Sequence, residues 1–147
     1  MTKDRFISTA VVPERALLLG IDRRDATWPV DRSLDELERL AETAGAETVG
    51  RITQRLDRPI PKSYIGSGKV EELKGMVARL DVDVVIFDDD LSPSQQSYLE
   101  KVVGSPVKII DRTALILDIF GLHARTREGR LQVQLAQLQY LLPRLRG

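Results

Sequence analysis

VDVVIF at residues 82–87 runs straight into Asp88-Asp89-Asp90 and then into Ser92-Pro93-Ser94-Gln95, and that succession decides the fold. A short, almost wholly apolar run bounded by polar residues is the pattern of a strand inside a sheet. Ser92 suits an N-cap, Pro93 the first helical position and Gln95 the reciprocal capping position, so a helix starts directly after the strand. Its apolar face is Tyr98, Leu99, Val102 and Val103, and Gly104 ends it. Upstream, RALLLGI at 15–21 reads as a strand. Ser33-Leu34-Asp35-Glu36 reads as a capping box for a helix that buries Leu34, Leu37, Leu40, Ala41 and Ala44 and stops at Gly45. Residues 47–54 make a second strand on Val49 and Ile52. Ser63-Tyr64-Ile65 is expected as a very short third one, turned by Gly66-Ser67-Gly68-Lys69 into a helix with Val70, Leu73, Met76, Val77 and Leu80 inside. Residues 107–110 form the last strand. Strands alternating with helices of this length predict βαβ units: a small, mainly parallel α/β sheet with helices on both faces. That body spans 14–111, behind a flexible lead-in at 1–13 and ahead of a long C-terminal helical arm at 112–147.

The arm carries its own signal. Leu131, Leu135, Leu138, Leu142 and Leu145 recur at alternating steps of four and three, which places them on one narrow stripe of a helix, as in a coiled-coil seam. Polar positions between them hold Gln132, Gln134, Gln137 and Gln139, and Pro143 is placed to kink the helix near its end. From residue 123 onward there are five arginines, at 125, 127, 130, 144 and 146, against Glu128 alone. This segment is therefore +4; the chain as a whole sums to zero, so residues 1–122 sum to −4. An acidic body with a basic helical arm suits a local contact with a polyanion, although a solvated amphipathic helix gives the same pattern.

Composition removes whole classes of chemistry. The chain of 147 residues has no cysteine, hence no disulfide, thiolate metal site or thiol nucleophile. No apolar run approaches the roughly 18 residues that span a bilayer. The expectation is a cytoplasmic protein that does not enter membranes. Net neutrality excludes a wholly basic nucleic-acid binder, so such contacts must be local.

Four candidates each have a plainer alternative. Gly66, Ser67, Gly68 and Lys69 stand at a helix entry and are the candidate nucleotide-binding residues, since helix N-termini and glycine-rich turns cradle phosphates. They are not a Walker A loop: Ser63 stands where its first glycine belongs and Val70 where its Ser or Thr belongs. Asp88, Asp89 and Asp90 follow a parallel strand and are a weak candidate for Mg²⁺, against a solvated loop. Arg125, Arg127 and Arg130 are candidate contacts to RNA phosphates, or partners of the acidic body. Trp28 suits base stacking or simple anchoring of its loop. His123 is the only histidine and has no companions for a catalytic triad, so no catalytic residue is expected in this chain.

Four runs carry a family resemblance: YIGSGKVEEL at 64–73, LSPSQQ at 91–96, DRTALILDIF at 111–120 and ARTREGRLQV at 124–133. In this order they resemble the N-terminal part of the HflX family of ribosome-associated GTPases. The resemblance implies an α/β subdomain, then two long antiparallel helices joined by a glycine-rich loop, then a GTPase domain that uses GTP and Mg²⁺. It implies large ribosomal subunits and their rRNA as partners, a role in splitting or rescuing stalled ribosomes, and ATP as a possible further ligand of this region. On that basis residues 112–147 are the first helix of the pair, without its partner or the GTPase domain. The leucine seam is then expected to make the chain self-associate. An ATP-binding domain and a bare dimerisation module remain alternatives.

Overall fold

A computed structural model describes residues 6–8 and 12–146, with Arg146 described in its backbone only. Four strands form one parallel sheet in the order β2-β1-β3-β4: β1 Glu14–Asp22, β2 Ala46–Arg55, β3 Val84–Phe87 and β4 Lys108–Asp111. The connecting helices are α1 Val30–Ala44, α2 Ser67–Arg79 and α3 Pro93–Val103, followed by α4 Arg112–His123 and α5 Arg127–Leu141. No helix among the described residues is long and apolar enough to cross a membrane.

Side-chain alternation along the strands builds two cores, one on each face of the sheet. Leu17, Leu19, Val85 and Phe87 point to the layer of α2 and α3, meeting Val70, Leu73 and Leu99. Ala16, Leu18, Val84 and Ile86 point to the layer of α1 and α4, meeting Leu34, Leu37, Ala41, Ala114 and Leu115. The central strand β1 is buried on both faces, which is why its sequence is a continuous apolar run and not an alternating one. One register slip occurs between Ala16 and Leu17, where β2 carries an extra residue opposite them.

The mainly parallel sheet with helices on both faces matches the sequence pattern, and several local expectations change. The helix α1 starts at Val30 behind Pro29 and has no side-chain cap, because proline presets the entry; Ser33 lies inside the helix and its hydroxyl donates to Asp88 at 2.5 Å. Gly45 does end it, in the left-handed conformation at φ +100°. Ser63-Tyr64-Ile65 is not a strand: Ile60 and Tyr64 make one isolated antiparallel bridge. Tyr64 sits at φ 68°, where a bulky residue is held only by its surroundings, and Pro59 and Pro61 cannot donate to a ladder. At α3 the capping box is complete, Gln95 N–H donating to Ser92 Oγ and Ser92 N–H to the Gln95 side chain.

The helical region after β4 is divided. A break at residues 124–126 separates α4 from α5, and Thr126 caps α5 by accepting from the Gly129 amide. The return of α5 brings Val133 and Gln137 close to Gly121 of α4. Pro143 lies in a single 3-10 turn over Leu142–Arg146 that ends the helix. Gln137, expected on a polar face, is buried, and Arg144 turns inward instead of facing solvent. In the stretch expected as a loose lead-in, Ile7 is fully buried, and the Phe6 and Ile7 amides both donate to the buried carboxylate of Asp118 at 2.7 Å. The rest of that expectation, on 1–5 and 9–11, lies outside the described residues.

Candidate functional site

Strand order sends the β1–α1–β2 crossover over one face of the sheet and the β2–α2–β3 crossover over the other, so the crevice at the carboxyl ends of β1 and β3 is the topological switch point, where open α/β sheets bind ligands. A cleft of about 370 Å³ opens there, lined by Arg23, Asp25, Thr27, Trp28, Ser33, Asp88 and Asp89 among others. Trp28 is exposed, and the Arg32 guanidinium lies over its ring at 4.0 Å. The tryptophan is thus presented at the mouth of the cleft, not buried as a loop anchor.

The three aspartates do not converge. Asp88 accepts from Arg112 through Nε at 3.1 Å and Nη2 at 2.5 Å, and from Ser33. Asp89 accepts from Arg23 at 2.8 Å and from the Tyr64 hydroxyl. Asp90 accepts from Thr113. Each carboxylate is drawn to a different element, and among the described residues no group of His, Cys, Asp or Glu is arranged to hold a metal ion. Arg112 is the centre of this edge, since it also reaches Glu36 and the Ser33 carbonyl. Burial pulls its pKa down, but the Asp88 and Glu36 carboxylates more than offset that and the net shift is upward. Burial, reinforced by the Asp89 charge, pushes the Tyr64 phenol well above its ordinary range.

At the other candidate phosphate site, the turn before α2, the Gly66 amide donates to the Gln54 side chain at 2.8 Å. A Cβ on Gly66 would stand 2.9 Å from Gln54 Nε2, the mobile end of that side chain. Lys69 pairs with Glu72 one turn along the helix. Ser67 and Gly68 are exposed.

The arginines at the α4–α5 turn behave differently. Arg125, Arg127 and Arg130 are all exposed, and among the described residues none of them is in an ion pair. Arg130 only donates to the Arg125 carbonyl at 3.2 Å. His123 closes α4 beside them. The leucine stripe also faces outward: Leu131, Leu135, Leu138 and Leu142 are 55, 57, 54 and 58 % exposed, and Leu145 more so. The opposite side of α5 is what meets the body.

That inward side depends on residues the sequence did not single out. Asp111, completely buried at the end of β4, accepts from the amides of Leu91 and Ala114 and from the Tyr140 hydroxyl. Arg144 stacks on Tyr140 at 3.8 Å and donates to Gln96 and to the Leu91 carbonyl. A hydrophilic pair at helical spacing from the leucines, Tyr140 and Arg144, was the only trace of this in the sequence.

The α/β body and its helical extension each match a model for part of a GTP-binding GTPase family. The family model described as GTP-binding GTPase N-terminal matches residues 31–121, and that described as GTP-binding GTPase Middle Region matches 123–147, so the family boundary falls at the end of α4. The chain belongs to the HflX family and corresponds to its N-terminal region. It is 50 % identical over 135 residues to GTPase HflX of Caldanaerobacter subterraneus, covering 91 % of this chain and 30 % of that protein. To GTPase HflX of Escherichia coli K12 it is 46 % identical over 112 residues, 76 % of this chain and 26 % of that protein. The chain therefore spans about three-tenths of the length of such relatives. A GTP-binding protein from the archaeon Sulfolobus solfataricus in complex with GDP has the same fold, with a TM-score of 0.68 at 23 % identity over 90 % of this chain and 38 % of that one.

Proposed function

We propose that this chain is the ribosome-binding and regulatory region of a cytoplasmic HflX-type GTPase, engaging the large ribosomal subunit through rRNA phosphates and hydrolysing no GTP with its own residues. The observation that carries this reading is the trio Arg125, Arg127 and Arg130, exposed at the α4–α5 turn without a carboxylate partner among the described residues, on a chain of zero net charge. Cations kept free of the acidic body are available to displace counterions from a nucleic acid. The α/β body serves to fix the direction of α5 and to restrain the GTPase domain in the whole protein. GTP and Mg²⁺ belong to that domain in this reading. The turn at 66–69 does not fit them: it lacks the Walker positions, and the Gly66 amide and Lys69 already have protein partners.

Co-sedimentation with isolated large ribosomal subunits over a salt series tests the reading, with the Arg125→Ala, Arg127→Ala, Arg130→Ala triple variant alongside. Salt-sensitive binding that the triple variant weakens is expected, each lost phosphate contact lowering the salt slope by about one. Absence of binding at low salt overturns it.

A second reading has its own observation. The outward leucine stripe suits pairing with another helix, either one in the whole protein or that of a second copy of the chain.

A further inference from the structure

A groove of about 470 Å³ lies between α3, the loop before Ser63 and the last turn of the chain, on the far side of the sheet from α1. Its walls are Lys62, Pro93, Ser94, Ser97, Tyr98, Lys101 and Pro143. Two lysines and no acid line it, in a chain whose body carries excess negative charge. Neither lysine is in an ion pair among the described residues. Ser94, Ser97 and Lys101 recur at steps of three and four, so a hydroxyl, a hydroxyl and an ammonium stand along one stripe of α3. Lys62 faces them from the opposite wall, its ammonium 5.1 Å from the centre of the Tyr98 ring.

The walls are fixed before any ligand arrives. Gln95 Nε2 donates to the Ile60 carbonyl at 3.0 Å, tying the loop of Lys62 to α3. Gln96 Nε2 donates to the Ile109 carbonyl, and Gln96 Oε1 accepts from Arg144, tying α3 to β4 and to the turn that carries Pro143. Two adjacent glutamines thus hold all three walls, and the groove face carries cations, the Ser97 hydroxyl, the Ser94 hydroxyl at 3.2 Å from Ser92 Oγ, one aromatic ring and two prolines. Cations on two sides of an open groove, with hydroxyls between them and flat apolar faces beside them, match a phosphodiester flanked by a sugar and a base. A single strand can lay its backbone along the groove and turn its unstacked bases to the Tyr98 ring, which a paired duplex cannot.

We infer that this groove binds the backbone of single-stranded RNA, with Lys62 and Lys101 on a phosphate and Ser94 and Ser97 donating to it. The inference rests on the proposal above that the chain contacts RNA, and it adds a second foothold. The 15 residues of α5 separate the arginine turn from the groove by roughly 22 Å at about 1.5 Å per residue, so one extended segment could touch both.

The test uses the whole 147-residue chain, a fluorescent oligouridylate of about ten nucleotides and an acidic peptide of similar charge. Anisotropy is read over a salt series for wild type, for Lys62→Ala/Lys101→Ala and for the arginine triple variant, with the amide resonances of Ser94, Ser97, Tyr98 and Lys101 followed during RNA titration. The lysine pair is expected to lower the salt slope by about 1.4, two contacts at about 0.7 each on a single strand. Shifts at those four amides are expected with RNA and not with the peptide. An unchanged slope with unshifted amides overturns the groove, and if the arginine variant still weakens subunit binding the ribosome proposal survives alone. Conversely, oligonucleotide binding lost with the lysines in a chain that never sediments with subunits supports the groove and removes the ribosome reading. Equal response to the acidic peptide also overturns it.

Discussion

The Tyr140 hydroxyl donates to the buried carboxylate of Asp111 at 2.7 Å, joining the helix that carries the leucine stripe to the end of the last strand. The same carboxylate accepts two backbone amides, from Leu91 and Ala114, and lies 3.8 Å from Arg144. Only with these groups in place is a fully desolvated carboxylate tolerable. Tyr140→Phe removes one donor and leaves the amides, so a loss of about 1.5 kcal/mol is expected in urea denaturation. Asp111→Ala strands the Tyr140 hydroxyl and both amides together and takes the nearby charge from Arg144, which keeps Gln96 and the Leu91 carbonyl; about 3–5 kcal/mol is expected, with α5 detached in hydrogen exchange. Equal effects of the two changes would show that the carboxylate is not the node.

Alkaline pH acts on the same contact. Tyr140 and Tyr64 both have phenols pushed above their ordinary value of 10.0, by burial first and then by the Asp111 and Asp89 charges respectively. A raised folded-state value means that above about pH 10 the unfolded chain has lost protons the folded chain retains, so their stabilisation is complete below that pH and falls as pH rises further. Each tyrosine contributes a slope of up to about 1.4 kcal/mol per pH unit. Phenolate absorbance from these two rings is expected to appear together with unfolding. Their ionisation in a chain that keeps its native circular dichroism would contradict the burial.

Arg112 is expected to resist conservative replacement. Its fork spans Asp88, Glu36 and the Ser33 carbonyl, which a lysine ammonium cannot reach together. Arg112→Lys should cost about 1–2 kcal/mol and Arg112→Ala more, because Asp88 is nearly buried. If Lys and wild type melt alike, the planar geometry is irrelevant and only the charge matters.

These contacts also mark where reading the sequence runs out. The strands, the Ser92 cap and the Gly45 stop were legible because each depends on neighbours within one turn or on simple alternation. The outward leucine stripe was legible from its period alone. Ser33-x-x-Glu36 misled because Pro29 starts the helix a turn earlier and Asp88, 55 residues away, takes the serine hydroxyl. Residues 63–65 looked like a strand by composition, yet a left-handed Tyr64 held by Asp89 makes a turn of them. Asp111, Tyr140 and Arg144 could not be grouped from sequence, since burial of charge is decided by tertiary neighbours 29 and more residues apart. That Arg125, Arg127 and Arg130 have no ion-pair partner among the described residues likewise needed the structure, because charge excess does not say which arginine has a partner; Arg144, equally basic on paper, is taken up by the body.

The leucine stripe gives the last prediction. Leu138 is more than half exposed between Leu135 and Leu142, so a charge there meets solvent in the monomer and disturbs little of its core. Leu138→Arg should therefore leave the unfolding free energy in urea within about 0.5 kcal/mol of wild type. In an antiparallel or parallel pair of such helices the same arginine would stand in an apolar seam, and an unpaired charge in that position is costly. The wild-type chain is expected to self-associate with rising concentration in sedimentation velocity, and the variant to remain monomeric throughout. A wild-type chain that stays monomeric at every concentration would remove pairing between copies. A variant that loses stability as a monomer would instead mean that the stripe packs on its own body.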